Sequence, residues 1–190
     1  MKAVHLLAAG FLGLAGCRAG GDGAGGGGGR VKDRLLVDHA TKLSFRNHVK
    51  PVPDPAGGAG TVLVGERVSK TEHHMVFEQK DGFFKVPEGH RGAVVARVLV
   101  RQERRVRVAL VAGEKLKSYY LQVPEEGQWC DLVLPLENLK AKIPAGETIN
   151  DISMWLLGAE GAKDATGKTE QKPLKPGSEF YLERLSFRPE

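Results

Sequence analysis

The residues of this 190-residue chain that could do chemistry do not form a familiar catalytic set. His73 and His74 are adjacent, and adjacent side chains of a strand point to opposite faces, so the two cannot easily bind one metal ion. Glu125, Glu126 and Asp131 could serve glycoside hydrolysis, but turns and exposed strand faces usually hold solvated carboxylates. No Gly-x-Ser-x-Gly turn, phosphate loop or dinucleotide fingerprint follows a candidate strand. The sequence therefore predicts no catalytic residue, metal site or cofactor, and a protein that is not an enzyme.

Four arginines alternate with apolar residues along two neighbouring segments. Arg97 and Arg101 lie in the first segment, and Arg105 and Arg107 lie in the second. A connection of three residues predicts an antiparallel hairpin with all four guanidinium groups on one face. Like charges on one face repel unless something compensates them. Two interpretations stay open: the arginines pair with acidic neighbours, or they bind an anionic surface polymer.

Three aromatic residues are candidates for recognising a sugar, because exposed rings stack on the apolar faces of sugars. Tyr119 and Tyr120 are adjacent, so on a strand one of them faces out. Trp155 is out of phase with Met154 and Leu156, which places it on the less buried face if those two fill the core. Core packing is the alternative for Trp155.

The charge balance argues against a nucleic-acid partner. The chain has 28 Lys and Arg against 23 Asp and Glu, a formal net charge of +5, and only 6% of its residues are aromatic. Nucleic-acid binding favours a stronger basic patch interleaved with aromatic residues. No nucleic acid is therefore expected among the partners.

The amino terminus has the layout of an export signal, with Lys2 followed by an apolar run over residues 3–15. The run ends Leu14-Ala15-Gly16-Cys17, which resembles the lipobox of bacterial lipoproteins. The resemblance implies that residues 1–16 are a cleaved signal peptide and that Cys17 carries a diacylglycerol on its thiol. It also implies acylation of the new amino terminus, with palmitate as an expected acyl group. An ordinary cleaved signal with a chance cysteine is the alternative.

The same resemblance predicts a cellular address. Several acyl chains give stable attachment, so we expect a cell-envelope protein held at a membrane through the lipid on Cys17. Arg18 is not the aspartate that resembles an inner-membrane retention signal, which favours the outer membrane, on its periplasmic side or at the cell surface. Residues 17–29 are glycine-rich and predict a flexible tether with a reach of about 20 Å.

Residues 30–190 predict a single all-β domain. Short stretches of alternating polarity are separated by Gly and Pro, and no window keeps a helical apolar repeat for three turns. About nine strands in an antiparallel β-sandwich are expected, with loops at 51–60 and 158–177. The candidate strands are 61–66, 73–79, 82–86, 93–101, 105–112, 117–123, 129–134, 149–157 and 179–188.

The second half of the chain resembles a galactose-binding-domain-like jelly roll of the kind found in carbohydrate-binding modules. The resemblance lies in the paired segments GAVVARVLVR and RRVRVALVA, in QWCDLVLPLENL, in INDISMWLLG and in the closing EFYLERLSF. The family's closing strand often carries an acidic pair that helps to hold a structural calcium. Here the pair is Glu183-Arg184, and the positive charge of Arg184 argues against a calcium ion there.

The sequence thus predicts a lipoprotein that presents a non-catalytic jelly-roll module for a glycan or another cell-envelope ligand. The alternative is an envelope lipoprotein that binds another protein or scaffolds an assembly and has no sugar site. The predicted ligand-binding residues are Tyr119, Tyr120, Trp155, Arg97, Arg101, Arg105 and Arg107.

Overall fold

The structure, a computed structural model, describes residues 32–163 and 169–190. The predicted signal peptide, Cys17 and the glycine tether lie outside these residues. Within the described part of the chain, no helix has both the length and the apolar character that a membrane crossing needs.

Almost all regular structure in the described residues is β-strand. The exceptions are two short 3₁₀ turns at Glu88–His90 and Leu136–Leu139. In chain order the strands are β1 (Arg34–Val37), β2 (Phe45–Asn47), β3 (Val49–Pro53), β4 (Thr61–Arg67), β5 (Glu72–Glu78), β6 (Phe84–Lys85), β7 (Ala93–Arg101), β8 (Arg105–Ala112), β9 (Lys115–Gln122), β10 (Cys130–Pro135), β11 (Thr148–Ile149), β12 (Asp151–Leu157), β13 (Glu160–Lys163), β14 (Thr169–Gln171) and β15 (Glu179–Arg188).

The strands form two antiparallel sheets. The first has the order β10-β7-β15-β4, with β1 against β15 and β3 against β4. The second has the order β4-β5-β12-β8-β9, with β2 against β5. Two separate pairs, β6 with β11 and β13 with β14, lie outside these sheets. The chain changes sheet between β5 and β7, between β7 and β8, and between β9 and β10, as in a jelly roll.

Strand β4 belongs to both sheets and makes their common corner. Leu63 and Val64 pair with β15, whereas Glu66 and Arg67 pair with β5. Gly65 lies between these pairs, and a Cβ atom there would stand 3.1 Å from the Met75 side chain. A residue without a side chain therefore lets the strand bend tightly against β5 as it changes sheet.

Alternate side chains of both sheets fill one shared core. The alternation is clearest in β5 and β10, which bury every second residue, as the period of two requires. This arrangement confirms the predicted all-β, antiparallel β-sandwich. Fully buried contributors include Val94, Leu132 and Leu182 from the first sheet and Phe77, Met154 and Val108 from the second.

The predicted hairpin between β7 and β8 is wrong. β7 pairs with β10 and β15, whereas β8 pairs with β12 and β9 in the other sheet. Gln102 adopts a positive φ of 67° directly after β7, and Glu103 is buried in the connection, where it accepts a hydrogen bond from the Lys175 amide. The three connecting residues therefore carry the chain across the sandwich instead of back along the same sheet.

Both predicted loops contain short strands. Within 51–60, Pro51 and Pro53 belong to β3, which pairs with β4 only. Proline has no backbone N–H to donate, and on an edge strand such as β3 there is no second neighbouring strand that needs this donor. Within 158–177, β13 and β14 form a small hairpin.

Candidate functional site

The outward face of the second sheet carries a row of aromatic and cationic side chains. Register aligns His74 of β5, Trp155 of β12, Arg107 of β8 and Tyr120 of β9 directly across the strands. Their inward neighbours fill the core, so alternation turns these four side chains outwards. We call His74, Trp155, Arg107 and Tyr120 the stacked row.

Members of the stacked row lie face to face. The His74 and Trp155 ring centres are 4.5 Å apart with 15° between the planes. The central carbon of the Arg107 guanidinium lies 4.4 Å from the centre of the Trp155 ring and 5.9 Å from that of Tyr120. Beyond His74, the ring of His48 continues the stack at 5.4 Å. The row is therefore one continuous series of π contacts, in which the guanidinium adds cation–π attraction.

Trp155 and Tyr120 offer different surfaces to a ligand. Trp155 has His74 on one face and Arg107 on the other, because β5 and β8 flank β12 on opposite sides. Tyr120 lies on β9 at the end of the sheet and is 58% exposed. Tyr120 is therefore the member of the row whose ring is most open to stack on a sugar.

His74 is held in its neutral form. Burial, together with repulsion from His48 and Arg107, lowers the pKa of His74 to about 4. Its Nε2 atom is buried and has no hydrogen-bond partner among the described residues. A neutral imidazole stacks against Trp155 without adding a second charge beside Arg107.

The two arginines of β8 are fixed by different partners. Arg107 donates hydrogen bonds from Nε and Nη2 to the Ser118 hydroxyl, both at 3.1 Å. Arg105 forms an ion pair with Glu160 at 2.5 Å, and its guanidinium lies 5.4 Å from the centre of the Tyr120 ring.

A cavity of about 300 Å³ adjoins the stacked row. Its volume lies at the small end of the range of ligand sites. Donors and acceptors from the sheet and from the β13–β14 hairpin meet there around an apolar floor at Leu157. We call it the Tyr120 pocket, and its lining residues are Glu72, Arg105, Arg107, Tyr120, Leu157, Glu160, Thr169, Glu170 and Gln171.

Tyr119, a predicted ligand-binding residue, points into the core. It is 7% exposed, and its hydroxyl donates a hydrogen bond to the Pro135 carbonyl at 3.0 Å. Burial raises the pKa of this hydroxyl. Of the two adjacent tyrosines, only Tyr120 is on the outward face, so Tyr119 is removed from the candidate site.

Arg97 and Arg101 lie on the outward face of the opposite sheet, so the four predicted arginines do not form one patch. Arg97 lies between two carboxylates, 2.5 Å from Glu183 and 3.3 Å from Asp131. Arg101 pairs with Glu179 at 2.8 Å. These contacts correspond to the interpretation in which acidic neighbours compensate the arginines.

Sequence reasoning missed His74 and the pocket glutamates. The adjacent pair His73-His74 directs attention to metal binding, not to a ring that packs on Trp155. The sequence signal that could have found it is alternation: when Met75 and Phe77 fill the core, His74 points outwards. Glu72, Glu160 and Glu170 converge only because the β13–β14 hairpin lies beside β5 and β8, and no local pattern reveals that contact.

No group of three or more His, Cys, Asp or Glu side chains in residues 32–163 and 169–190 is arranged to hold a metal ion. Glu183, one of the two residues compared above with an acidic pair, forms ion pairs with Arg97 and Arg184. The guanidinium of Arg97 thus supplies the positive charge between Glu183 and Asp131.

No protein-family model matches the chain, and no curated protein matches it. Solved structures similar to it include the family 11 carbohydrate-binding module of the cellulosomal cellulase Lic26A-Cel5E of Clostridium thermocellum, with 13% identity and a TM-score of 0.47 over 84% of this chain and 96% of that one. A mutant of a family 29 carbohydrate-binding module has 10% identity and a TM-score of 0.43 over 83% and 93% of the two chains. TmCBM61, solved with β-1,4-galactotriose, has 12% identity and a TM-score of 0.42 over 83% and 99%. The fold assignment rests on the strand order and the shared core described above.

Proposed function

We propose that this protein is an exported, lipid-anchored lipoprotein whose β-sandwich binds a glycan, without catalysis, at the Tyr120 pocket. The observation that carries the proposal is the juxtaposition of an exposed tyrosine ring with a cavity lined by hydrogen-bonding groups. Sugars have apolar faces that stack on aromatic rings and hydroxyl rims that need both donors and acceptors. The Tyr120 pocket supplies both kinds of contact.

A binding role is favoured over catalysis by the way the charged groups are engaged. Glu160 is bound to Arg105, and Arg107 is bound to Ser118 and stacked between two rings. Such groups are rigid and can orient a ligand.

A protein-binding role is the alternative. Large exposed apolar residues such as Leu35, Phe45 and Leu116 lie on three different strands, and three strands, β5, β12 and β8, lie between Phe45 and Leu116 in the second sheet. A protein-docking surface is usually a contiguous apolar patch of several hundred Å². The scattered exposure favours the glycan.

Affinity gel electrophoresis tests the glycan proposal. The purified protein is run through gels that contain soluble glucans, xylans, galactans or mannans, beside a Tyr120→Ala variant. We expect at least one polysaccharide to retard the parent, and the variant to bind it about tenfold more weakly or worse, a loss of about 1.4 kcal/mol. Leu116→Ala is the matched control, because Leu116 is an exposed apolar residue on the same face of the same strand. If no gel retards the parent, or if both variants behave alike, the proposed site is wrong.

The lipid anchor is tested by a change of one atom at Cys17. Cys17→Ser removes the thiol that would accept the diacylglycerol, so we expect the protein to leave the membrane fraction and to accumulate as soluble or unprocessed chain. Detergent phase partitioning measures the shift. A Cys17→Ser protein that still enters the detergent phase like the parent would show that the anchor is not at this residue.

A further inference from the structure

We infer that the glycan bound at the Tyr120 pocket is uncharged, and that the carboxylates around this pocket exclude anionic polysaccharides. The inference rests on the proposed function, because it names the ligand class of the same site. It also argues against an anionic surface polymer as the ligand, which is one of the two interpretations that the sequence leaves open for the four arginines.

The charged groups of the Tyr120 pocket favour a neutral ligand. Three glutamates and two arginines line it, so its formal net charge is −1. A carboxylate of a uronic acid or a sulfate ester would have to approach Glu72, Glu160 and Glu170 to reach either guanidinium. Like charges brought together in a binding site repel and weaken binding.

Both arginines of the pocket already have partners, so neither is free to bind an anion. The charge of Arg105 is compensated by Glu160 at 2.5 Å. Arg107 has used two of its N–H groups on Ser118, and its flat faces lie against Trp155 and Tyr120. A guanidinium has five N–H groups, so Arg107 retains donors for the hydroxyl oxygens of a sugar.

The rest of this face adds negative charge. Glu78 and Asp151 are directly opposite each other on β5 and β12, and Glu66 is opposite His74. Among the described residues on this face, six carboxylates therefore accompany two guanidinium groups. The chain as a whole has a formal charge of +5, so the described residues of this face differ in sign from the average of the protein. An acidic face on a basic protein repels polyanions locally, and the effect is strongest at low salt.

The same carboxylates suit a polyhydroxylated neutral ligand. An ionised carboxylate only accepts hydrogen bonds, and sugar hydroxyls are donors that can approach it without electrostatic cost. Hydrogen bonds to charged acceptors are about twice as strong as those between neutral groups. Glu72 and Glu170, for which no ion pair is found among the described residues, are the available acceptors of the pocket.

The experiment compares neutral and anionic affinity gels at low salt. The full chain is run through neutral glucan, xylan, galactan and mannan, and through alginate and polygalacturonate, each beside Tyr120→Ala. Because other surfaces of a basic protein attract polyanions, the readout is the part of the retardation that Tyr120→Ala abolishes. We expect this Tyr120-dependent retardation in at least one neutral gel and in neither anionic gel.

The outcomes separate the two proposals. Tyr120-dependent retardation by alginate or polygalacturonate would overturn the uncharged ligand while leaving glycan binding intact. Absence of Tyr120-dependent retardation in every gel would overturn the proposed function itself.

A charge-reversed variant tests the cause of the exclusion. In Glu72→Lys/Glu170→Lys we expect Tyr120-dependent retardation by the anionic gels to appear. The control Glu125→Lys/Glu137→Lys makes the same change of charge at two exposed residues outside the pocket, and should leave that retardation absent. If the pocket variant and the control bind the anionic gels alike, the carboxylates do not set the specificity.

Discussion

Arg107 holds the carbon of its guanidinium 4.4 Å from the centre of the Trp155 ring, on the face opposite His74. Trp155, one of the three aromatic residues that the sequence offers for stacking on a sugar, is thus enclosed on both faces. Its role is to support the row, while Tyr120, at the end of the sheet, has the open ring. The stacked row therefore divides into a structural part and a binding part.

The first prediction separates these two parts. Trp155→Ala removes a half-buried ring that packs against His74 and Arg107, so we expect the free energy of unfolding to fall by about 2–3 kcal/mol, less than for a fully buried tryptophan. Tyr120→Ala removes an exposed ring and should change stability by about 0.5 kcal/mol or less. Urea unfolding of both variants measures the difference. Equal stability of Trp155→Ala and the parent would contradict the structural role of Trp155.

The second prediction concerns acid stability. His74 has a pKa of about 4 in the folded protein, against 6.5 for an ordinary histidine. Between these values the unfolded chain binds a proton that the folded chain does not, so stability falls as the pH falls from 6.5 towards 4. We expect His74→Gln to reduce the slope of unfolding free energy against pH in this window.

The control for the second prediction is His39→Gln, because His39 is an exposed residue in a bend and does not touch the stacked row. Chemical unfolding at several pH values gives the slopes. If His74→Gln and His39→Gln alter the slope equally, the stack does not hold His74 neutral.

Alternation along single strands was sufficient to predict much of the site. The outward direction of Arg105, Arg107 and Trp155 follows from the apolar residues next to them, whereas for the adjacent tyrosines alternation predicts only that one of the two faces out. The structure places Tyr120 on the same face as the other three. A period of two fixes the face of a side chain once its neighbours are buried, whichever strands lie beside it. The sandwich itself followed from the same periodicity and from the resemblance to the jelly-roll family.

The choice of partner strands could not be predicted in this way. A three-residue connection fits a hairpin within one sheet and a crossing between two sheets equally well, so the sequence does not show that β7 and β8 belong to different sheets. This error changes the predicted site, because a hairpin would put Arg97 and Arg101 on the same face as Arg105 and Arg107. The convergence of Glu72 with Glu170 depends on residues almost a hundred positions apart, and no short pattern encodes it.

The third prediction concerns Arg97, which lies between Glu183 and Asp131 with a side chain that is 21% exposed. Arg97→Gln leaves two partly buried carboxylates close together without a cation. We expect a loss of about 1–2 kcal/mol in unfolding free energy, below the 3–5 kcal/mol seen for fully buried pairs. Arg104→Gln, which breaks a more exposed pair with Glu126, should cost less than about 1 kcal/mol. A stable Arg97→Gln protein would mean that the two carboxylates do not need the guanidinium.

The last prediction links the corner of the sandwich to the binding face. A Cβ atom at Gly65 would lie 3.1 Å from the side chain of Met75 and 3.2 Å from the carbonyl oxygen of His74. The methionine can rotate away, but the carbonyl belongs to the strand that carries His74. Gly65→Ala therefore forces β5 to shift by a few tenths of an ångström, and overpacking of this kind typically costs about 1–3 kcal/mol.

Because the displaced atom belongs to His74, the strain should also reach the stacked row. We expect Gly65→Ala to lower the midpoint of urea unfolding and to change the near-ultraviolet circular dichroism of Trp155 in the folded state. Gly60→Ala is the matched control, since a Cβ atom there meets nothing within 4 Å. If Gly65→Ala unfolds like Gly60→Ala and keeps the parent spectrum, then β4 and β5 have room at the corner, and the stacked row is not coupled to the point where β4 changes sheet.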